Sequence, residues 1–210
     1  MSGKGFNKRL ILASASPRRR ELLSLITAGF EIMTAEVDER AAEIRMEDEG
    51  VPALKVSECL AEIKAKAVFD LLTEDEKADS VVIGADTSVI LDDVIYGKPV
   101  DRDDAVRMLS SMSGRVHVVT TGVAIFTGQD KRLFTEETRV RFNDLDDYQK
   151  ALISDYCDSR SPFDKAGAYG IQDKGALLIK GIEGDYSNVV GLPVARLARE
   201  LEIMLEYSLE

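Results

Sequence analysis

The sequence predicts a mixed α/β fold, and three observations predict it. Short apolar runs of strand length recur along the 210 residues, stretches with apolar residues at helical spacing lie between them, and a tight Ser-Pro turn joins the first strand to the first helix. Arg9 to Ser14 (RLILAS) reads as a short buried strand, and Arg18 to Ile26 as a helix with Leu22, Leu23 and Ile26 at helical spacing. Phe30 to Val37 is a second apolar strand, and the acidic stretch Asp38 to Gly50 reads as a mobile surface connection. Ser57 to Leu72 carries Leu60, Ile63, Ala67, Val68 and Leu71 at helical spacing, and Ser80 to Asp86 is an apolar strand that ends in a carboxylate.

Asp103 to Met112 is a helix with Ala105, Met108, Leu109 and Met112 on one face, and β-like runs cover Val116 to Phe126 and Thr138 to Phe142. Leu145 to Tyr156 reads as a helix and Ala176 to Ile182 as a strand, with a closing helix over Leu192 to Tyr207 that has Pro193 in its first turn. There is no internal repeat, low-complexity tract or linker. The expected organisation is a short tail, residues 1–8, and a single unit over residues 9–210 with two lobes around a cleft, because ligand sites in such folds gather at strand ends.

The formal net charge of −11 argues against a general nucleic-acid binder, which needs a basic face to neutralise phosphates. No window approaches the ~18 consecutive apolar residues of a membrane span, and Met1 to Lys8 has no apolar signal-peptide core, so a soluble, cytoplasmic protein without a membrane partner is expected. Cys59 and Cys157 form no metal-ligand spacing and suit free thiols in a reducing compartment. With one histidine, His117, a zinc site or a Ser-His-Asp triad is poorly supported. Any metal would take carboxylate ligands, which favours magnesium or manganese.

Ser16 and Pro17 suit the N-cap and first position of a helix, yet Arg18, Arg19 and Arg20 follow, and cations there oppose the helix dipole. They form either a solvated basic turn or a site for a phosphate, whose charge would reverse the sign of the interaction. Helical periodicity turns Lys64 toward the apolar arc and Lys66 away from it, so Lys64 either reaches a ligand or covers apolar surface with its stem. A buried strand delivers Asp86 and Thr87 to its carboxyl end, where Asp86 either holds a metal, takes a proton from water, or caps a turn. Gly97-Lys98-Pro99 is a turn presenting a lysine. Asp38 and Glu39 could serve a cation, though composition alone favours solvent. The segment Asp164 to Gln172 is rich in small residues that a ligand can approach, and Gln172 either reads a base edge or satisfies local backbone.

Taken in order, LILASASPRRRELL, VDE, LAEIKAKAV, GADTSV, GKP, SMSGRVHVVTTGVAI, DKAGAYGIQ and GDYSNVVGLP resemble the Maf family over nearly the whole chain, from Leu10 to Leu201. The resemblance implies a nucleoside triphosphate pyrophosphatase of the inosine-triphosphatase-like fold, an elongated mixed sheet with two lobes around a central cleft, forming a homodimer and needing a divalent cation, magnesium or manganese. It puts the proton acceptor at Asp86 and further polar active-site positions at Ser14, Arg19, Glu39, Lys64, Lys98, Asp164 and Lys165, with Glu39 and Asp86 as metal ligands. Arg18, Thr87 and Gln172 fall on the positions linked with substrate choice, in the combination of the branch that removes dTTP, UTP and related pyrimidine nucleotides. The branch acting on 7-methyl-GTP differs there. A nucleotide-binding regulator of cell division with little turnover is the rival reading. The departures are the tail, the third arginine Arg20, and Asp173 where a glycine is common.

Overall fold

The computed structural model describes residues 8–206. The expected N-terminal tail, apart from Lys8, and Tyr207 of the closing helix lie outside the described residues. In chain order the elements are β1 (Arg9–Leu12), α1 (Pro17–Leu23), β2 (Glu31–Ile32), α2 (Glu39–Asp48), α3 (Ala53–Phe69), α4 (Glu74–Asp79), β3 (Ser80–Leu91), β4 (Val94–Tyr96) and α5 (Arg102–Met112). Then come β5 (Val116–Thr127), β6 (Lys131–Phe142), α6 (Asp147–Asp158), three short 3-10 turns, β7 (Ile179–Glu183), α7 (Tyr186–Val190) and α8 (Val194–Glu206).

All seven strands join one mixed sheet in the order β2-β1-β3-β5-β6-β7, with β4 paired to the far end of β3. β1 lies parallel to β2 and β3, whereas the β3–β5, β5–β6, β6–β7 and β3–β4 pairs are antiparallel. Strand alternation sorts the apolar side chains into separate cores. Along β3, Val81, Ile83 and Ala85 enter one core with α1 and α8. Val89 and Leu91 enter a second core with α5, α6 and the residues around Tyr169. These positions share one face of the strand, so the two cores lie side by side on that face, with Thr87 and its register partner Thr121 forming a polar seam between them. Val82 and Ala124 point the other way, against Ala61, Ala65 and Val68 of α3.

Several expectations are corrected here. Residues 38–50 are mostly helix: Asp38 caps α2 by accepting from Ala41 N–H, and Ala42 and Met46, one turn apart, dock on Val56 and Leu60. The expected strand Phe30 to Val37 shrinks to the two-residue β2. Helix α3 ends at Phe69, so Leu71 is 64 % exposed and Leu72 fills the interior instead. β3 does not end at Asp86 but runs on to Leu91, because β5 carries its ladder that far. β6 is twelve residues long, its first half hidden from a reading of apolar runs by the charged residues of its exposed face. Residues 174–178 form a 3-10 turn, so the last strand begins at Ile179.

Candidate active site

The site is built on an interruption in the sheet. β1 stops at Leu12, opposite Ile83, and the Ala13 N–H donates to the Ile83 carbonyl at 2.7 Å as the chain leaves. β4 pairs with β3 only from Val89 onward. Between them, Gly84 to Ser88 keep their ladder with β5 alone, and the open edge presents Asp86 toward α3 and Thr87 toward α1. Asp86 therefore still lies at the carboxyl end of the parallel part of the sheet, although it is in the middle of its own strand.

Two glycines bring α3 down onto this edge. A Cβ on Gly84 would lie 2.5 Å from the Ala61 carbonyl oxygen, and one on Gly122, the register partner of Asp86, 2.3 Å from the Glu58 nitrogen. The close approach sets Lys64 over Asp86. Its ammonium meets Asp86 Oδ1 at 2.7 Å and Glu39 Oε2, from the first turn of α2, at 2.8 Å. The Lys64 and Asp86 side chains are 17 % and 13 % exposed and Glu39 is 51 % exposed, so the carboxylate pair opens from a dry floor to water.

On the other face, Arg19 reaches into the polar seam. Its guanidinium donates to the Gly191 carbonyl at 2.9 Å, to Thr87 Oγ1 at 3.0 Å and to Ser14 Oγ at 3.4 Å. Thr87 in turn shares a hydrogen bond with Thr121, whose hydroxyl donates to the Asn188 carbonyl. Burial lowers the Arg19 pKa from its ordinary value, while Asp86 and Glu39 pull it back up. Ser16 caps α1 as expected, accepting from Arg19 N–H. Of the three arginines, Arg18 and Arg19 line the cleft and Arg20 is turned out to solvent.

The opposite wall is the segment Asp164 to Asp173. Asp164 pairs with Arg18 at 3.1 Å and with Lys165 at 2.6 Å. Burial pushes the Asp164 carboxyl up, but the hydrogen bonds from Lys165 and Arg18 outweigh it and hold the group below its ordinary value. The Lys165 ammonium also donates to the Ser161 carbonyl and faces Asp173. Lys98 is exposed and has no ion-pair partner among the described residues, on a turn pinned by the Gly167 N–H donating to the Gly97 carbonyl. Gln172 is exposed, and its amide makes no hydrogen bond to the described residues.

These side chains surround one cleft of about 1350 Å³, more than the few hundred Å³ a small ligand needs. Ser14, Arg18, Arg19, Glu39, Lys64, Asp86, Thr87, Lys98, Asp164, Lys165 and Gln172 all line it. A chain of net charge −11 thus gathers Arg18, Arg19, Arg40, Lys64, Lys98 and Lys165 around one opening. Sequence reasoning missed Arg40, Glu43 and Tyr96 on the lining, took in Tyr169 only as part of the segment Asp164 to Gln172, and noted Asp173 only as a departure. Arg40 and Glu43 could have been found from the Asp38 cap, which makes residues 39–48 a helix with one face on the cleft.

The described residues contain no group of three or more acidic, histidine or cysteine side chains that could hold a metal ion. Glu39 and Asp86 nevertheless converge on a single ammonium, so both carboxylates can reach one point. Two carboxylates fit a hard cation such as magnesium, which completes its shell with phosphate and water oxygens. No described helix is long and apolar enough to cross a membrane.

A family model described as Maf-like protein matches residues 9–204. The dTTP/UTP pyrophosphatase of Geobacillus sp. (strain WCH70) is 46% identical over 195 residues, covering 93% of this chain and 97% of that protein. A protein of the same description from Bacillus velezensis is 47% identical over 195 residues, 93% of this chain and 96% of its own. Another, from Thermosipho africanus, is 46% identical over 189 residues and 90% of each chain.

Proposed function

The chain belongs to the Maf family, and from that premise we propose that it hydrolyses dTTP and UTP to the monophosphate and pyrophosphate, clearing surplus or modified pyrimidine nucleotides. The observation that carries the reading is the open edge of β3, where Asp86 stands between Lys64 and Glu39 on one side and Arg19 and Thr87 on the other. A carboxylate that can take a proton from water thereby faces a cleft ringed by cations suited to a polyphosphate.

In the reaction a water oxygen bonds to the α-phosphorus, the bond from that phosphorus to the α–β bridging oxygen breaks, and pyrophosphate leaves with the electron pair. Asp86 accepts the water's proton. Lys64 holds Asp86 by Oδ1, and Oδ2 accepts no hydrogen bond from the described residues, so it is the oxygen left to receive the proton of a water bound in the cleft that Asp86 lines. Arg19, fixed by three protein acceptors, and Lys98, exposed on its turn, neutralise the phosphate oxygens as negative charge moves to the leaving group. Glu39 and Asp86 would hold the divalent cation, magnesium or manganese, which when bound supplies further charge neutralisation at the phosphates.

Pyrimidine choice is assigned to Arg18, Thr87 and Gln172. The unbonded amide of Gln172 offers a donor and an acceptor to a base edge, whereas Thr87 is engaged by Arg19 and Thr121 and acts on base choice through the position of Arg19. The reading includes a homodimer in the cytoplasm that binds neither nucleic acid nor membrane, and light scattering at twice 23.1 kDa tests the dimer.

The decisive assay incubates purified protein with magnesium and a panel of nucleoside triphosphates, including 7-methyl-GTP, and separates pyrophosphate from orthophosphate. Pyrophosphate from dTTP and UTP is the expected result. Orthophosphate would mean that another bond is cut, and silence across the panel would shift the reading to a nucleotide-binding regulator.

A further inference from the structure

Resting on the pyrimidine nucleotide reading, we propose that Asp173 is a positioning residue for base recognition: its carboxylate ties both ends of the Gly170–Asp173 turn, and Lys165, into one wall of the cleft. Four donors converge on it. The Tyr156 hydroxyl donates to Oδ1 at 2.9 Å and the Gly175 N–H to the same oxygen at 2.8 Å. Ser161 Oγ donates to Oδ2 at 2.7 Å, and the Lys165 ammonium stands 3.4 Å from it.

The Tyr156 oxygen, buried on α6, accepts from the Gly170 N–H at 3.1 Å. The turn is therefore held at its first residue through Tyr156 and at its last by the carboxylate itself. Gln172 lies between the two anchors, exposed on the cleft and unbonded, so where its amide points depends on the backbone being held. Lys165 spends its donors on Ser161, Asp164 and Asp173, which makes it part of the same wall rather than a loose cation.

Burial raises the Asp173 pKa, but the hydrogen bonds from Ser161, Gly175 and Tyr156 outweigh that and hold it below its ordinary value, so the anchor is ionised at neutral pH. A simple cap of the turn Lys174–Leu178 would need only the Gly175 bond. The donors from Tyr156, Ser161 and Lys165 come from outside that turn.

The test compares wild type, Asp173→Ala and Asp173→Asn. Steady-state kinetics are measured with UTP, dTTP and ATP, and amide hydrogen exchange at Gly170 and Gly175 is followed without nucleotide. The alanine variant should raise KM for UTP and dTTP by about tenfold with kcat within about threefold, the signature of lost binding geometry. Its preference over ATP should shrink, and exchange should quicken at both amides while the β3 and β5 amides keep their protection. Asparagine keeps an acceptor for Tyr156 and Gly175 and should restore most of the protection and of the KM.

Unchanged KM and preference in an active alanine variant would overturn the proposal, as would an equal loss of kcat with every nucleotide or unaltered exchange at the two amides. A wild-type protein that released no pyrophosphate would overturn the functional reading and the base-recognition role with it.

Discussion

Asp86 is the residue on which the chemistry turns. Asp86→Asn keeps the shape of the side chain but cannot take a proton, so kcat for UTP should fall by at least about a hundredfold, the range of general-base catalysis, with nucleotide affinity retained. Turnover near wild type would remove Asp86 from the role. Lys64 stands between two carboxylates, and Lys64→Ala would leave Glu39 and Asp86 facing one another uncompensated. We expect at least about a tenfold loss of kcat/KM, smaller at high magnesium, where added cation can take the place of the ammonium. Identical losses at all magnesium concentrations would refute that account. The inward turn of Lys64 was legible because the helical period assigns each residue a side. The separation of Arg19 from Arg20 was legible only through the family resemblance and not from helical spacing, because it depends on the Gly191 carbonyl and Thr87, both far away in sequence.

Among the elements, α3 depends on the two glycines beneath it. Gly122→Ala would put a Cβ 2.3 Å from backbone atoms of Ser57 and Glu58, which cannot swing aside as a side-chain tip would. The helix must lift, at a cost of about 1–3 kcal/mol for overpacking, and Lys64 lifts with it. Urea denaturation should show the lower stability and the assay a loss of kcat, while a variant as stable and active as wild type would mean that the sheet yields instead. Helices α3 and α5 were readable because each buries an amphipathic stripe. Helix α2 was not, since it buries only Ala42 and Met46, leaves Ile44 exposed, and is otherwise mostly charged. The full length of β3 was hidden for a different reason. Asp86, Thr87 and Ser88 break its apolar run, and only pairing with β5 carries the strand through them.

For the molecule as a whole, the second core carries a buried titratable group that the proposed chemistry does not use. His117 lies against Phe142 and Tyr169, its Nε2 sharing a hydrogen bond with the Tyr169 hydroxyl at 2.8 Å. Burial lowers its pKa from 6.5 to about 4. The unfolded chain therefore binds a proton between those values that the folded one refuses, and stability falls as pH drops through this window and is fully present above it. At pH 5 the loss from this group should be roughly 2 kcal/mol relative to pH 7.5. His117→Gln should flatten the fall in unfolding free energy between those pH values, and an equal slope in both proteins would show that other groups carry it.

From the sequence alone came the α/β class, most of the helices and strands, and eleven of the side chains that line the cleft, because periodicity and local caps act over a few residues and the motifs were legible in order; Arg40, Glu43 and Tyr96 were not among them. Only the tertiary structure decided that β1 stops short of Asp86, that α3 presses on Gly84 and Gly122, and that Asp173 gathers donors from Tyr156, Ser161, Lys165 and Gly175. Each of these is a contact between segments distant along the chain, and burial and ladder geometry settle such contacts where local propensity is silent.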